Sequence, residues 1–221
     1  MKFESQYLIK WGMPGWVFML LVLPVLYLGG TIDSTGIQNM HTISAAFALT
    51  LIGIVVGYII YQIYFVLSWI YQPPEKRNIN KIIEIVQHKG IEVPKNWNER
   101  FFLIEYLWHA NVKELEEYKM IYYSNRYSYL LTRKHEIGAL LTSFGLCIVP
   151  VSVELISAPS LLLFGIFLFT CVMSWVLFKT FNYYSTNVEY VVARFMDEIL
   201  PPARENNTPK NEKEKPPVDV Y

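Results

Sequence analysis

The sequence predicts an all-α integral membrane protein: a four-helix transmembrane chain of two hairpins, with cytoplasmic helical extensions and a disordered C-terminal tail. Two observations predict this class. All 19 lysines and arginines fall within residues 2–10, 76–134 and 179–215, and none lies in residues 11–75 or 135–178. Each of those two basic-free stretches holds two apolar runs around a short polar turn, the pattern of a helix that crosses a bilayer and returns. Short segments rich in Lys and Arg stay cytoplasmic, so both hairpins begin and end on that side and both termini are cytoplasmic.

Composition points the same way. The chain is 53% apolar and 17% charged, and its apolar residues are gathered in runs near bilayer length rather than spread at amphipathic spacing. A soluble helical protein needs charged outer faces on its long helices, and the run 43–71 has none. Formal net charge is zero, 19 acidic against 19 basic residues, which leaves no field suited to a nucleic-acid partner. Only Asp33 and Glu154 fall on the expected outer side.

Residues 1–75 carry the first hairpin. Its opening apolar run, 16–28, is interrupted by Pro24 and short for a span. Residues 11–16 therefore add depth, giving a first span of about 14–30 with Trp11 and Trp16 at the headgroup level. A basic start followed by a short apolar run and Gly29-Gly30 also admits a cleaved leader. The polar turn 29–42 leads into a second span of about 43–70, which has neither charge nor proline before Pro73-Pro74.

Residues 76–134 form a cytoplasmic helical insert. A short helix is expected over 80–89, stopped by Gly90, and a second one capped by Asn98 and bearing Phe101, Phe102, Ile104, Tyr106, Leu107 and Trp108. From Asn111 no proline or glycine occurs before Gly138, so one continuous helix should rise into the third span, about 137–153, ending near Pro150 or Glu154. Residues 135–179 make the second hairpin, with a fourth span of about 159–178. The following extension, 180–200, carries Val188, Val191, Val192, Phe195 and Ile199 on one face, which should pack on the insert. Residues 201–221 are polar and proline-rich and are expected to be disordered.

Several residues are candidates for function. Ala46, Thr50, Gly53 and Gly57 recur at helical spacing along the second span, and Gly138, Thr142 and Gly145 draw a similar line on the third. Small residues let helix backbones approach closely in lipid, so these stripes mark helix packing within the chain or the interface of a homo-oligomer. Arg133, Lys134 and His135 lie where the third span enters the membrane, placed to touch lipid headgroups or an acidic partner. Tyr58, Tyr61, Tyr64, Trp69 and Tyr71 crowd the inner half of the second span as an interfacial belt. Cys147 and Cys171 fall in apolar runs as small apolar side chains and not as a disulfide framework.

Chemistry-bearing motifs are few. His109 follows Glu105 by one helical turn, but no second close ligand completes a metal site, and no phosphate loop or nucleophile elbow occurs. No cofactor and no metal are expected. Buried ionisable groups are what ion-coupled transport needs, and the four expected spans have none, so a secondary transporter does not fit.

The reading that follows is a non-enzymatic multi-span protein of the cell membrane that self-associates. Its cytoplasmic helices bind a soluble partner or sense the membrane state, with membrane lipids as the other partner. Two alternatives stand beside it. One is an oligomeric channel or membrane effector, since size and organisation resemble, in architecture alone, small multi-span subunits of prokaryotic antiviral defence systems. The other is a membrane-embedded lipid-modifying enzyme using His109, His135, Glu105 or Glu136.

Overall fold

The computed structural model describes residues 5–32, 42–71 and 79–200. All regular structure among them is helical: α1 (Ser5–Leu28), α2 (Thr42–Tyr71), α3 (Ile79–His88), α4 (Trp97–Val112), α5 (Glu117–Ser157) and α6 (Leu161–Ile199). Four of these, α1, α2, α5 and α6, are long and apolar enough to cross a membrane. At 1.5 Å per residue α5 and α6 each measure about 60 Å, twice a hydrocarbon core of about 30 Å. Their apolar halves belong with α1 and α2, and their charged halves pack with α3 and α4 into a second body, here termed the polar-end bundle.

Helix α1 is the central element of the apolar half, lying against α2 on one side and α5 on the other, while α5 and α6 run back along each other. The α1–α2 contact is backbone on backbone. A Cβ at Gly15 would collide with the Gly53 carbonyl and the Gly57 backbone, one at Gly57 with the Trp11 carbonyl, and one at Gly53 with the Trp16 ring. Only glycine permits that approach. The Trp16 indole then donates to the Thr50 carbonyl at 3.1 Å, a hydrogen bond between the two helices. On its other side α1 meets small polar residues of α5. The buried Ser143 hydroxyl donates to the Pro14 carbonyl at 2.8 Å, and the Cys147 thiol lies 3.9 Å from the Phe18 carbonyl.

Both prolines of α1 and Pro150 of α5 sit inside continuous helix. Helix α5 therefore continues through Pro150 and past Glu154 to Ser157. Ser160 caps α6, its hydroxyl accepting from the Leu163 amide at 3.2 Å. Val25, Val151 and Leu163 form the buried apolar cluster at this end of the bundle.

Glu154, expected just past the third span on the outer side, is a buried residue of α5 with 6% of its surface exposed. Helix α1 ends in a glycine turn: Gly30 has φ +78°, its amide bonds the Tyr27 carbonyl and the Thr31 amide bonds the Leu26 carbonyl. That turn aims the Thr31 hydroxyl at Glu154, to which it donates at 2.6 Å. Gly29 leaves room for this pair, because a Cβ there would meet the carboxylate and make the Glu154 side chain shift.

In the polar-end bundle, α3 stops at Gly90 by the same device, with φ +78° and bonds from Gly90 to Gln87 and from Ile91 to Val86. The cap of α4 is Asn96, whose side chain accepts from the Asn98 amide at 3.1 Å; Asn98, the expected cap, is already helical. Nor is the chain continuous from Asn111. It turns over residues 113–116, where the Glu114 and Leu115 amides bond the Asn111 and Val112 carbonyls, because Val112, Leu115, Tyr123 and Tyr127 all pack on one cluster that a straight helix would leave. The centre of that cluster is Ile82, Val86, Leu107, Trp108, Val192, Phe195 and Met196, which docks the end of α6 on α3 and α4. The interhelical turn expected at 29–42 and the tail at 201–221 fall largely or wholly outside the described residues.

The glycine contact yields a paired prediction. Gly57→Ala should destabilise the chain by about 1–3 kcal/mol, the range for overpacking a filled site. Gly145→Ala, with open space over its Cα, should gain up to about 1 kcal/mol of helix propensity. Thermal unfolding of the two variants in detergent, against the parent chain, tests the opposite signs.

Candidate functional site: a chamber where the spans meet the polar-end bundle

One face of each of three helices converges on a cavity of about 550 Å³, within the range of small-molecule sites. Helix α4 contributes Phe101, Ile104, Glu105, Trp108 and His109, spaced at i, i+3, i+4, i+7 and i+8. Helix α5 contributes Tyr127, Leu131, Lys134 and His135 at the equivalent spacing, and α6 contributes Val188, Glu189 and Val192. Ile82 of α3 closes one wall. Phe65 and Ser68 enter from the end of α2, where its apolar stretch finishes. The chamber thus lies where the membrane-length helices become charged.

Aromatic packing makes its rear wall rigid. Trp108 is stacked on Phe195 with ring centroids 4.0 Å apart and on Tyr127 at 4.7 Å, and Tyr123 meets Phe195 edge-on at 5.2 Å. Burial, with the Glu105 carboxylate beside it, raises the Tyr127 phenol above its ordinary range. Behind the wall the Tyr123 hydroxyl donates to Glu198, tying the start of α5 to the end of α6. That hydrogen bond to the carboxylate, with burial as the lesser cause, pushes Tyr123 up to about 12.

At the span side His135 is held by Tyr64. The Tyr64 hydroxyl and His135 Nδ1 are 3.1 Å apart, leaving Nε2 as the ring nitrogen able to meet a ligand. Tyr64 is buried at 4% exposure, with its ring edge-on to Phe181 at 6.1 Å and lying over Gly138, where a Cβ would strike it. Gly138 is therefore the seat of this tyrosine.

The three consecutive residues expected at the membrane edge divide between two surfaces, two toward the chamber and one outward. Lys134 and His135 line the chamber, with Lys134 Nζ also 5.8 Å from the Phe181 ring. Arg133 is on the outside, paired to Glu136 at 2.9 Å and over the Tyr129 ring at 5.6 Å. Glu136 in turn faces Lys10 of α1 at 3.8 Å, a charged belt that ties the two hairpins together.

The small-residue stripes also divide. Gly53 and Gly57 are used within the chain against α1, and Thr50 offers its carbonyl to Trp16. Ala46 lies in α2, with its side chain outside the described residues. Thr142 bonds back to the Gly138 carbonyl at 2.9 Å and, with Gly145, lines a second groove between α2, α5 and α6 of about 520 Å³. Among the described stripe residues Gly145 and Thr50 are exposed.

Glu105, His109 and His135, separate in the sequence, share the chamber. Sequence reasoning missed Glu189, although its place beside Val188 and Val192 puts it on the packed face of α6. Among the described residues no three His, Cys, Asp or Glu side chains are grouped to hold a metal ion.

The Tyr123–Glu198 link has a pH signature. The unfolded phenol titrates near 10 and the folded one near 12, so below pH 10 both states keep the proton. Stability should fall as pH rises from about 10 to about 12, where only the folded state binds it. In tyrosinate difference spectra of the parent chain against Tyr123→Phe, the assigned transition should move back toward 10 when Glu198→Gln is introduced in both. Neither family models, curated proteins nor solved structures give any match to this chain.

Proposed function

We propose that the chain is a non-enzymatic four-span protein of the cell membrane, with termini and polar-end bundle in the cytoplasm, that senses the state of the bilayer. The confinement of basic residues to the span-flanking segments supports the orientation. One observation carries the sensing role: α5 and α6 each belong to both cores without interruption. Val151 and Leu163 lie in the apolar cluster at one end, and Tyr123, Tyr127, Val192 and Phe195 pack in the cluster at the other. A tilt forced on such helices by bilayer thickness is transmitted to the polar-end bundle.

The bundle also offers a surface to a cytosolic partner. Phe102 and Tyr106 on α4, and Tyr118, Ile121 and Tyr122 on α5, are exposed in pairs at i, i+3 and i+4 spacing, a concentration that single scattered surface apolar residues do not produce. Gly53 and Gly57 are occupied by α1, whereas Gly145 on α5 and Gly165 on α6 are exposed with open space over them, which supports self-association through those faces.

Orientation is tested with Lys113→Cys in intact cells, where an impermeant maleimide should label only after permeabilisation. Sensing is tested with spin labels at Gln62 of α2 and Glu99 of α4, both exposed, in nanodiscs of short-chain and long-chain lipid. The distance distribution should differ between the two bilayers, and identical distributions would remove the sensor reading. Gly145→Leu should reduce any oligomer mass measured in mild detergent while leaving the monomer folded.

A further inference from the structure

We infer that the chamber binds one bilayer phospholipid bearing both a phosphate and a primary ammonium, with Lys134 receiving the phosphate and Glu105 and Glu189 the ammonium. Position favours a lipid over a soluble ligand: Phe65 and Ser68 come from the end of a membrane-length helix, so one side of the cavity continues onto the apolar surface of α2. Phe65 is itself 42% exposed there, and Leu131 extends the same apolar path on α5.

Charge selects the headgroup. The lining carries both signs, one lysine and two carboxylates. A purely anionic headgroup would be attracted by the Lys134 charge and repelled by Glu105 and Glu189. A zwitterion matches the set. Between zwitterions, carboxylates reward N–H donors with short charge-assisted hydrogen bonds, which a quaternary ammonium lacks. The usual recourse for a quaternary group is an open aromatic cage, and the four rings of the lining are each packed on a neighbour, Trp108 and Tyr127 on one another, Phe65 on His135 and Phe101 on Phe102. His109 and, where Tyr64 donates to Nδ1, the Nε2–H of His135 are further donors to the phosphate oxygens.

The inference rests on the membrane reading above for the position of the chamber. It is separately testable, because the spin-label experiment reads helix geometry and the following one reads occupancy. Full-length protein is purified, and native mass spectrometry follows binding of phosphatidylethanolamine, phosphatidylcholine and phosphatidylglycerol of identical chains. Phosphatidylethanolamine should be preferred by about tenfold, the worth of one charge-assisted hydrogen bond. Glu105→Gln with Glu189→Gln should abolish the preference among the three, and Lys134→Gln should weaken all of them. Because Glu105 is exposed, Glu105→Gln alone keeps the fold, as an unchanged melting temperature would verify, and should show part of the loss. Equal retention of the three lipids by the parent chain would overturn the proposal, as would an unchanged preference in the carboxamide variants. Displacement of the lipid by soluble phosphoethanolamine at equal concentration would also overturn it, since the apolar path would then contribute nothing.

Discussion

Hydrocarbon solvates neither a charge nor an open backbone amide, and four helices long and apolar enough to cross a membrane are built to that constraint. It drives the ionisable residues to the ends of the long helices and leaves the helices to find one another without a hydrophobic force between them. The chain meets the second requirement by removing side chains where α1 crosses α2, so that Gly15, Gly53 and Gly57 bring peptide groups into contact. Dispersion between closely packed backbones and the hydrogen bond from Trp16 to Thr50 take the place that apolar burial holds in water.

A different chemistry holds the polar-end bundle. There Trp108, Phe195, Tyr123 and Tyr127 stack around Val192 and Met196, and water outside makes burial of that surface favourable. Since α5 and α6 pass through both environments, the two halves are bound by different forces yet share the same rods. The chamber occupies the seam between them. Its apolar walls are continuous with the spans, while Glu105, His109, Lys134 and Glu189 belong to the charged side, and this duality is what suits it to an amphiphile.

The spans were legible in the sequence because exclusion of charge from lipid is a one-dimensional signal that needs no knowledge of neighbours. Helix stops were legible where a glycine accepts a positive φ, as at Gly90. The turn at 113–116 was not, because its residues are ordinary helix formers and only the demand that Val112 and Leu115 join a common core bends the chain there. The meaning of Gly138 was hidden for a similar reason: its spacing signals helix contact, and only the fold shows the Tyr64 ring seated on it. His109 and His135 came with adjacent charge in the sequence but acquire a shared environment through the docking of α4 on α6, a tertiary fact. Glu154 stood one residue past the expected span, and its burial depends on the glycine turn that brings Thr31 across.

That buried carboxylate bears on how the chain is assembled during synthesis. On the proposed orientation Glu154 must travel across the whole bilayer with the tip of the second hairpin, a passage that insertion scales put at a few kcal/mol for a charged residue. Its only side-chain hydrogen-bond donor among the described residues, the Thr31 hydroxyl, belongs to the hairpin that leaves the ribosome first. The first hairpin is thereby a template that receives the second, and translation order and native docking coincide.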